Sequence, residues 1–388
     1  MSRTSNKFLT LAMIVMLLVG ALALPASAQR PAAAADAIAF TILHTNDFHG
    51  QLEPSGSNPG MARVAQVVNN ARAAVGPERV LLVDAGDAMQ GSLLSNLQKG
   101  VPVIATYNAM GYDAATFGNH EFDWGKQTLI DRTTQATYPY TSANIVVNDT
   151  SNCGTAGWTA PAFAQPFVVK TVGTVPNQVK VGFIGVTTIE TPIITVATAT
   201  AGLCFKDPAD AILYYYDALK AQADVIVVLS HLGYSDGGYG IPVYSEQTLA
   251  KKLNDAGKPA NLIIGGHSHT NLAAATMVGD TAVVQAYSNG RNLGRADMTF
   301  DPDTKAVTIN WQRNAISTTG AKDSTIDALI TSYATDPDYL ALVKQPIGYS
   351  AVDLPRNGGA TDNMLGTFID DAIYNYLNTD GDSTNDID

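Results

Sequence analysis

Six short apolar, β-branched runs are spaced along the chain, and each closes on glycine, aspartate, asparagine or histidine. They are IAFTILHTNDFHG from residue 38, RVLLVDAGDAMQG from 79, DAATFGNHEFDWG from 113, KVGFIGVTT from 180, ADVIVVLSHLG from 223 and ANLIIGGHSHT from 260. Apolar runs of this length bounded by turn residues predict strands buried on both faces. Between them lie MARVAQVVNNARAAV, AILYYYDALKAQ and SEQTLAKKLNDAG, whose apolar residues recur at helical spacing. Strands alternating with helices predict an α/β fold in which helices cover a largely buried sheet. Towards the end, TAVVQAYSNGRNLGRADMTFD and AVTINWQRNAIS have the pattern of successive antiparallel strands. A mixed sheet or a sandwich is therefore expected.

The two ends follow other patterns. Arg3 and Lys7 flank the start of the apolar run FLTLAMIVMLLVGALAL, and Ala26-Ser27-Ala28 offers small residues for cleavage before Gln29. This predicts a signal peptide over residues 1–28, its apolar run being at the short limit for a membrane span. Cleavage would leave a secreted, periplasmic or surface protein with no span. Around residue 345 the register changes. IGYSAVDLPRNGG is extended and turn-rich, and TDNMLGTFIDDAIYNYL predicts an amphipathic helix capped by Thr361 or Asp362. In the tail, NTDGDSTNDID, Gly381 is misplaced for the sixth position of an EF-hand loop, so a solvated acidic loop is expected. Residues 37–344 are read as the main domain, and 345–388 as a linker and the start of a second.

Composition narrows the class. With 46% hydrophobic and 15% charged residues the chain is globular, and a formal charge of −12 argues against binding a nucleic-acid polymer. An acidic protein that handles anionic substrates needs a local cationic centre, which bound metal ions could supply. The two cysteines, Cys153 and Cys204, could pair in an oxidising compartment or remain separate buried thiols.

The histidines sharpen this. There are six, at 44, 49, 120, 231, 267 and 269, and each falls at or just after a predicted strand end. In α/β sheets the carboxyl ends of the strands form the crevice where ligands bind. Asp47 and His49 form a D-x-H pair that can converge on one ion. Asp87 offers two oxygens able to bridge two ions, Asn119 an amide oxygen, and His231, His267 and His269 imidazole nitrogens. Nitrogen and oxygen donors without sulfur suit Zn, Mn, Fe, Co or Ni rather than a closed structural zinc site. Seven donors exceed one tetrahedral ion but suit two ions sharing Asp87, a two-metal hydrolytic centre.

D-x-H, G-D, G-N-H-E, a strand-end His and G-H-x-H, in that order, resemble the calcineurin-like metallophosphoesterases. The fuller strings ILHTNDFHG, DAGDAMQG, GYDAATFGNHEFDWG and IIGGHSHT are similar to the secreted bacterial 5′-nucleotidase/UDP-sugar hydrolase family, over about residues 40 to 300. The resemblance implies a four-layer α-β-β-α sandwich with mixed sheets, followed by the first helix of a C-terminal domain that is cut short. It implies one ion on Asp47, His49, Asp87 and His269, and a second on Asp87, Asn119, His231 and His267. Some members carry Gln where His269 stands, which leaves the first ion's preferred metal open among Zn, Mn, Co and Fe. His44, Asn46, Asp84 and Glu121 lie in the same motifs without being ligands, and are expected to fix loops by hydrogen bonds.

The implied activity is hydrolysis of a small phosphoester, foremost a nucleoside 5′-monophosphate, with nucleotide sugars and 2′,3′-cyclic nucleotides as further substrates. His120 would face the phosphoryl or leaving oxygen, with Asp123 holding its tautomer and favouring its cationic form. Two other readings share these residues: a thiosulfohydrolase-like enzyme, and a secreted binding protein whose metal site is silent.

Overall fold

A computed structural model describes residues 36–148, 153–238, 241–346, 349–354 and 364–379. The expected signal peptide, the caps Thr361 and Asp362, and the acidic tail beyond Thr379 lie outside the described residues. The strands are β1 (Ile38–Thr45), β2 (Val80–Asp84), β3 (Ala114–Thr116), β4 (Tyr140–Thr141), β5 (Ile145–Val147), β6 (Phe167–Thr174), β7 (Asn177–Thr187), β8 (Leu203–Phe205), β9 (Val225–His231), β10 (Leu262–Ile264), β11 (Thr276–Val278), β12 (Thr281–Val284), β13 (Asn292–Phe300) and β14 (Val307–Ala315). All six apolar runs form strands, as β1, β2, β3, β7, β9 and β10.

They make two six-stranded sheets, β14-β13-β1-β2-β3-β4 and β11-β12-β10-β9-β7-β6, and β5 pairs with β8 apart. Both large sheets are mixed. In the first, β1 to β4 run parallel while β13 and β14 are antiparallel; in the second, β7, β9, β10 and β12 run parallel between antiparallel edges.

Alternation along the strands explains the layers. Ile42, Leu81, Val83, Val227, Leu229 and Ile264 point into one cluster shared by both sheets. Their neighbours point outwards. Leu43 and Leu82 meet Val64 and Val68 of the helix Met61–Val75 and Tyr107 of the helix Val101–Met110. Ile226, Val228 and Ile263 meet Ile212 and Leu219 of Pro208–Lys220 and Leu249 and Leu253 of Glu246–Asp255. With both faces buried, these strands need no polar alternation, so their sequences are continuous apolar runs. The result is the expected four-layer α-β-β-α sandwich.

The helices Val101–Met110, Lys126–Gln135 and Ser324–Ala334 were not signalled by the periodicity of the chain. Cys153 and Cys204 are paired as a disulfide with Cα atoms 5.4 Å apart, close to where β5 and β8 meet. Among the described residues, no helix is long and apolar enough to cross a membrane.

Candidate metal centre

The loops after β1, β2, β3, β9 and β10 meet at one edge of the sandwich, because these strands are parallel neighbours within their sheets. Beyond the strands, the first two loops keep pairing: Asp47 N–H donates to Gly86 O at 2.9 Å, and His49 N–H to Asp87 O at 2.9 Å. Glu121 then ties in the third loop, its carboxylate accepting from the N–H groups of Gly118 at 2.7 Å, Asp87 at 2.8 Å and Ala88 at 2.8 Å. Asp84 accepts from Gly86 N–H at 2.9 Å and Thr45 Oγ1 at 2.6 Å. Asn46 accepts from Ala286 N–H at 3.0 Å, and His44 accepts from Trp311 Nε1 at 3.0 Å. Glu121, Asp84 and Asn46 thus fix loops, whereas His44 joins β1 to β14.

Five of the seven candidate donors have left-handed backbones: Asp47 (φ 50°), His49 (φ 51°), Asp87 (φ 55°), His267 (φ 72°) and His269 (φ 50°). Such conformations cost non-glycine residues about 1–3 kcal/mol each and cluster at functional sites. Gly118 belongs to the same arrangement, since a Cβ there would collide with the Asp87 carboxylate.

Asp87 Oδ2 lies 3.0 Å from His231 Nε2 and 4.0 Å from His49 Nε2, so one oxygen faces both halves of the centre. Its other oxygen accepts from His120 N–H at 2.9 Å. His49 Nε2 and His269 Nε2 are 3.0 Å apart, and Asp47 Oδ1 lies 3.5 Å from His269 Nε2. Donor atoms of Asp47, His49 and His269 fall within 4.8 Å of one another, and so do those of Asp87, His231 and His267. Asn119 Oδ1 is buried with no hydrogen-bond partner, and His231 Nε2, also buried, has only the Asp87 carboxylate oxygen beside it. A buried acceptor with no donor costs about 1–3 kcal/mol, and a cation is what such atoms can take. The donors therefore fit a pair of divalent ions.

The rings are aimed by their other nitrogens. His49 Nδ1 lies 2.9 Å from Gln90 O, and His231 Nδ1 lies 2.8 Å from Ala85 O. Each carbonyl needs an N–H, which leaves Nε2 as the electron-pair donor of the neutral ring. Burial disfavours charge on both His231 and Asp87, but their mutual attraction outweighs it. His231 is pushed up to about 10 and the Asp87 carboxyl is held well below the usual range.

His120 stands on the open side, partly exposed, with its ring 5.4 Å from that of His49. Its Nδ1 lies 2.6 Å from Asp123 Oδ2, and that hydrogen bond raises it to about 9 against the effect of burial. Thr195 Oγ1 donates to the other Asp123 oxygen at 3.2 Å. All nine residues singled out in the sequence are thus brought to one edge. Thr195 and Glu190, whose carboxylate meets His267, were not among them. The available signal was their place just after the strand-end run GVTT. A cleft of about 800 Å³, lined by residues such as Tyr138, Tyr140 and Phe163, contains none of these residues.

This sandwich and its edge of Asp, Asn and His side chains define a metallophosphoesterase. Residues 40–271 match the calcineurin-like phosphoesterase family, and the chain belongs to it. It is similar to the 5′-nucleotidase of Bos taurus, 30% identical over 370 residues that cover 87% of this chain and 60% of that protein. It is also similar to the crystal structure of a 5′-nucleotidase precursor from Thermus thermophilus, with a TM-score of 0.64 and 27% identity over 79% of this chain and 60% of that one. A calcineurin-like phosphoesterase from Bacillus subtilis shares the fold, with a TM-score of 0.65 at 24% identity over 80% of this chain and 100% of that one. The chain spans about 60% of the length of the first of these relatives.

Proposed function

We propose that the protein is a dimetal phosphoester hydrolase that releases phosphate from nucleoside 5′-monophosphates or related nucleotides outside the cytoplasm. Asp47, His49, Asp87 and His269 would hold one ion, and Asp87, Asn119, His231 and His267 the other. The observation that carries this reading is the gathering of two donor sets, Asp47 with His49 and His269, and Asp87 with His231 and His267, each with atoms within 4.8 Å of one another. Two divalent ions of Zn, Mn, Co or Fe would supply activated water and neutralise phosphoryl charge.

The chain's own residues do the rest. With Nδ1 held by Asp123, His120 presents Nε2–H to the open side, where it can bond a phosphoryl oxygen or protonate the leaving oxygen. Thr195 holds the second Asp123 oxygen, so the carboxylate that orients the ring is itself fixed. The 5′-nucleotidase relatives support a nucleotide as substrate. The disulfide and the N-terminal sequence pattern support an oxidising, non-cytoplasmic compartment.

The test is phosphate release from AMP with Mn, Co or Zn supplied, set against p-nitrophenyl phosphate and a thiosulfonate. Metal-dependent release from AMP is expected. Release from no phosphoester, with any of these metals, would sink the reading; turnover of the thiosulfonate alone would move the protein to sulfur esters.

A further inference from the structure

We infer that Glu190 is a positioning residue of this centre, holding His267 through Nε2 so that Nδ1 is the nitrogen offered to an ion. The inference rests on the reading of His267 as a ligand. Glu190 Oε1 lies 2.9 Å from His267 Nε2. A carboxylate this close accepts the ring N–H, which places the lone pair of the neutral imidazole on Nδ1. His49 and His231 are held the opposite way, by Nδ1 on a backbone carbonyl. Of the three, His267 alone has a carboxylate rather than a backbone carbonyl on its far nitrogen.

The surroundings of Glu190 suit this task. Its side chain is 1% exposed, and a charge so buried is costly unless it is hydrogen-bonded or paired. Thr187, the last residue of β7, pairs with His231 of β9, so the turn carrying Glu190 starts beside the centre. That turn is fixed by the backbone bond from Ile193 N–H to Glu190 O at 2.7 Å. From the other side Gly238 packs so close that a Cβ would sit 3.3 Å from Glu190 Oε2. Glu190 is thus closed in, with Oε1 on His267.

The test compares wild-type protein with Glu190→Gln and Glu190→Ala after chelation, by calorimetric titration with Mn and then by ring-nitrogen NMR of the zinc-loaded protein. Wild type should bind two ions. Glu190→Gln should keep one affinity and lose roughly 10–100-fold in the other, the usual effect of removing an outer partner of a metal-bound histidine. Glu190→Ala should lose at least as much, with metal-free unfolding of Glu190→Gln little changed. The zinc-loaded wild type should show metal on Nδ1 of His267 but on Nε2 of His49 and His231. Unchanged affinities in both variants, equal weakening of both ions, or zinc on Nε2 of His267 would each overturn the inference. Fewer than two ions in wild type would instead bring down the two-ion reading, and this inference with it.

Discussion

Glu121 Oε2 accepts the backbone N–H of Asp87 at 2.8 Å, so a side chain from the loop after β3 fixes the loop after β2. The same carboxylate holds Gly118 and Ala88. Hydrogen bonds to a charged acceptor contribute about 1.5–3 kcal/mol each, and unmet buried donors add to the loss. Glu121→Ala should therefore lower unfolding stability by about 3 kcal/mol or more, with Glu121→Gln falling between it and wild type. Denaturant unfolding of the chelated proteins measures this, and near-identical midpoints would refute the clamp.

His120 should matter to turnover without mattering to metal loading, because its Nδ1 is taken by Asp123. His120→Ala is expected to retain two ions per chain while kcat falls on the order of 100-fold or more, the scale of a positioned acid or base. Metal analysis beside steady-state kinetics decides it; wild-type turnover in the variant removes His120 from the reaction.

The partnerless Asn119 Oδ1 predicts a crossover in stability. Without metal, Asn119→Leu should be as stable as wild type or more so by about 1 kcal/mol, since a buried unmet acceptor is gone. With an ion at a hundred times its Kd, wild type should gain about 2.7 kcal/mol and the variant distinctly less. Thermal unfolding with and without added Mn shows whether the two orders reverse.

His269 holds φ at 50° on a side chain that is 41% exposed, so its backbone can be tested apart from packing. In metal-free protein His269→Gly should be more stable than His269→Ala by about 1 kcal/mol, the cost of the left-handed conformation for a residue with a Cβ. An alanine variant that matches or exceeds the glycine variant would show that this backbone is unstrained.

His44 gives the stability a pH dependence. It is fully buried, and its Nε2 accepts from Trp311, so burial holds the ring neutral with its pKa lowered to about 3 from 6.5. The unfolded chain takes up this proton first, so the contribution is complete above about pH 6.5 and is lost as pH falls towards 3. Relative to His44→Phe, wild type should lose up to about 1.4 kcal/mol more per pH unit across that window. Parallel stability profiles between pH 4 and 6.5 would contradict this.

Much of this was legible in the chain. The six apolar runs foretold the buried strands because strands covered on both faces tolerate few polar positions. Their polar ends foretold where those side chains gather, because parallel strands bring their carboxyl ends to one edge. Residue type alone marked Asp47, Asp87, Asn119 and the histidines as oxygen and nitrogen donors. What the sequence could not contain was pairing across the fold. Glu190 is 77 residues from His267, and Trp311 is 267 from His44. Neither shares a motif with its partner. Which ring nitrogen each histidine offers, which carboxylate oxygen faces both halves of the centre, and which backbones are strained depend on contacts a few ångströms long between loops set by different strands. Local pattern follows from each segment's own burial, whereas those contacts exist only once both sheets have packed, and so the tertiary structure alone decided them.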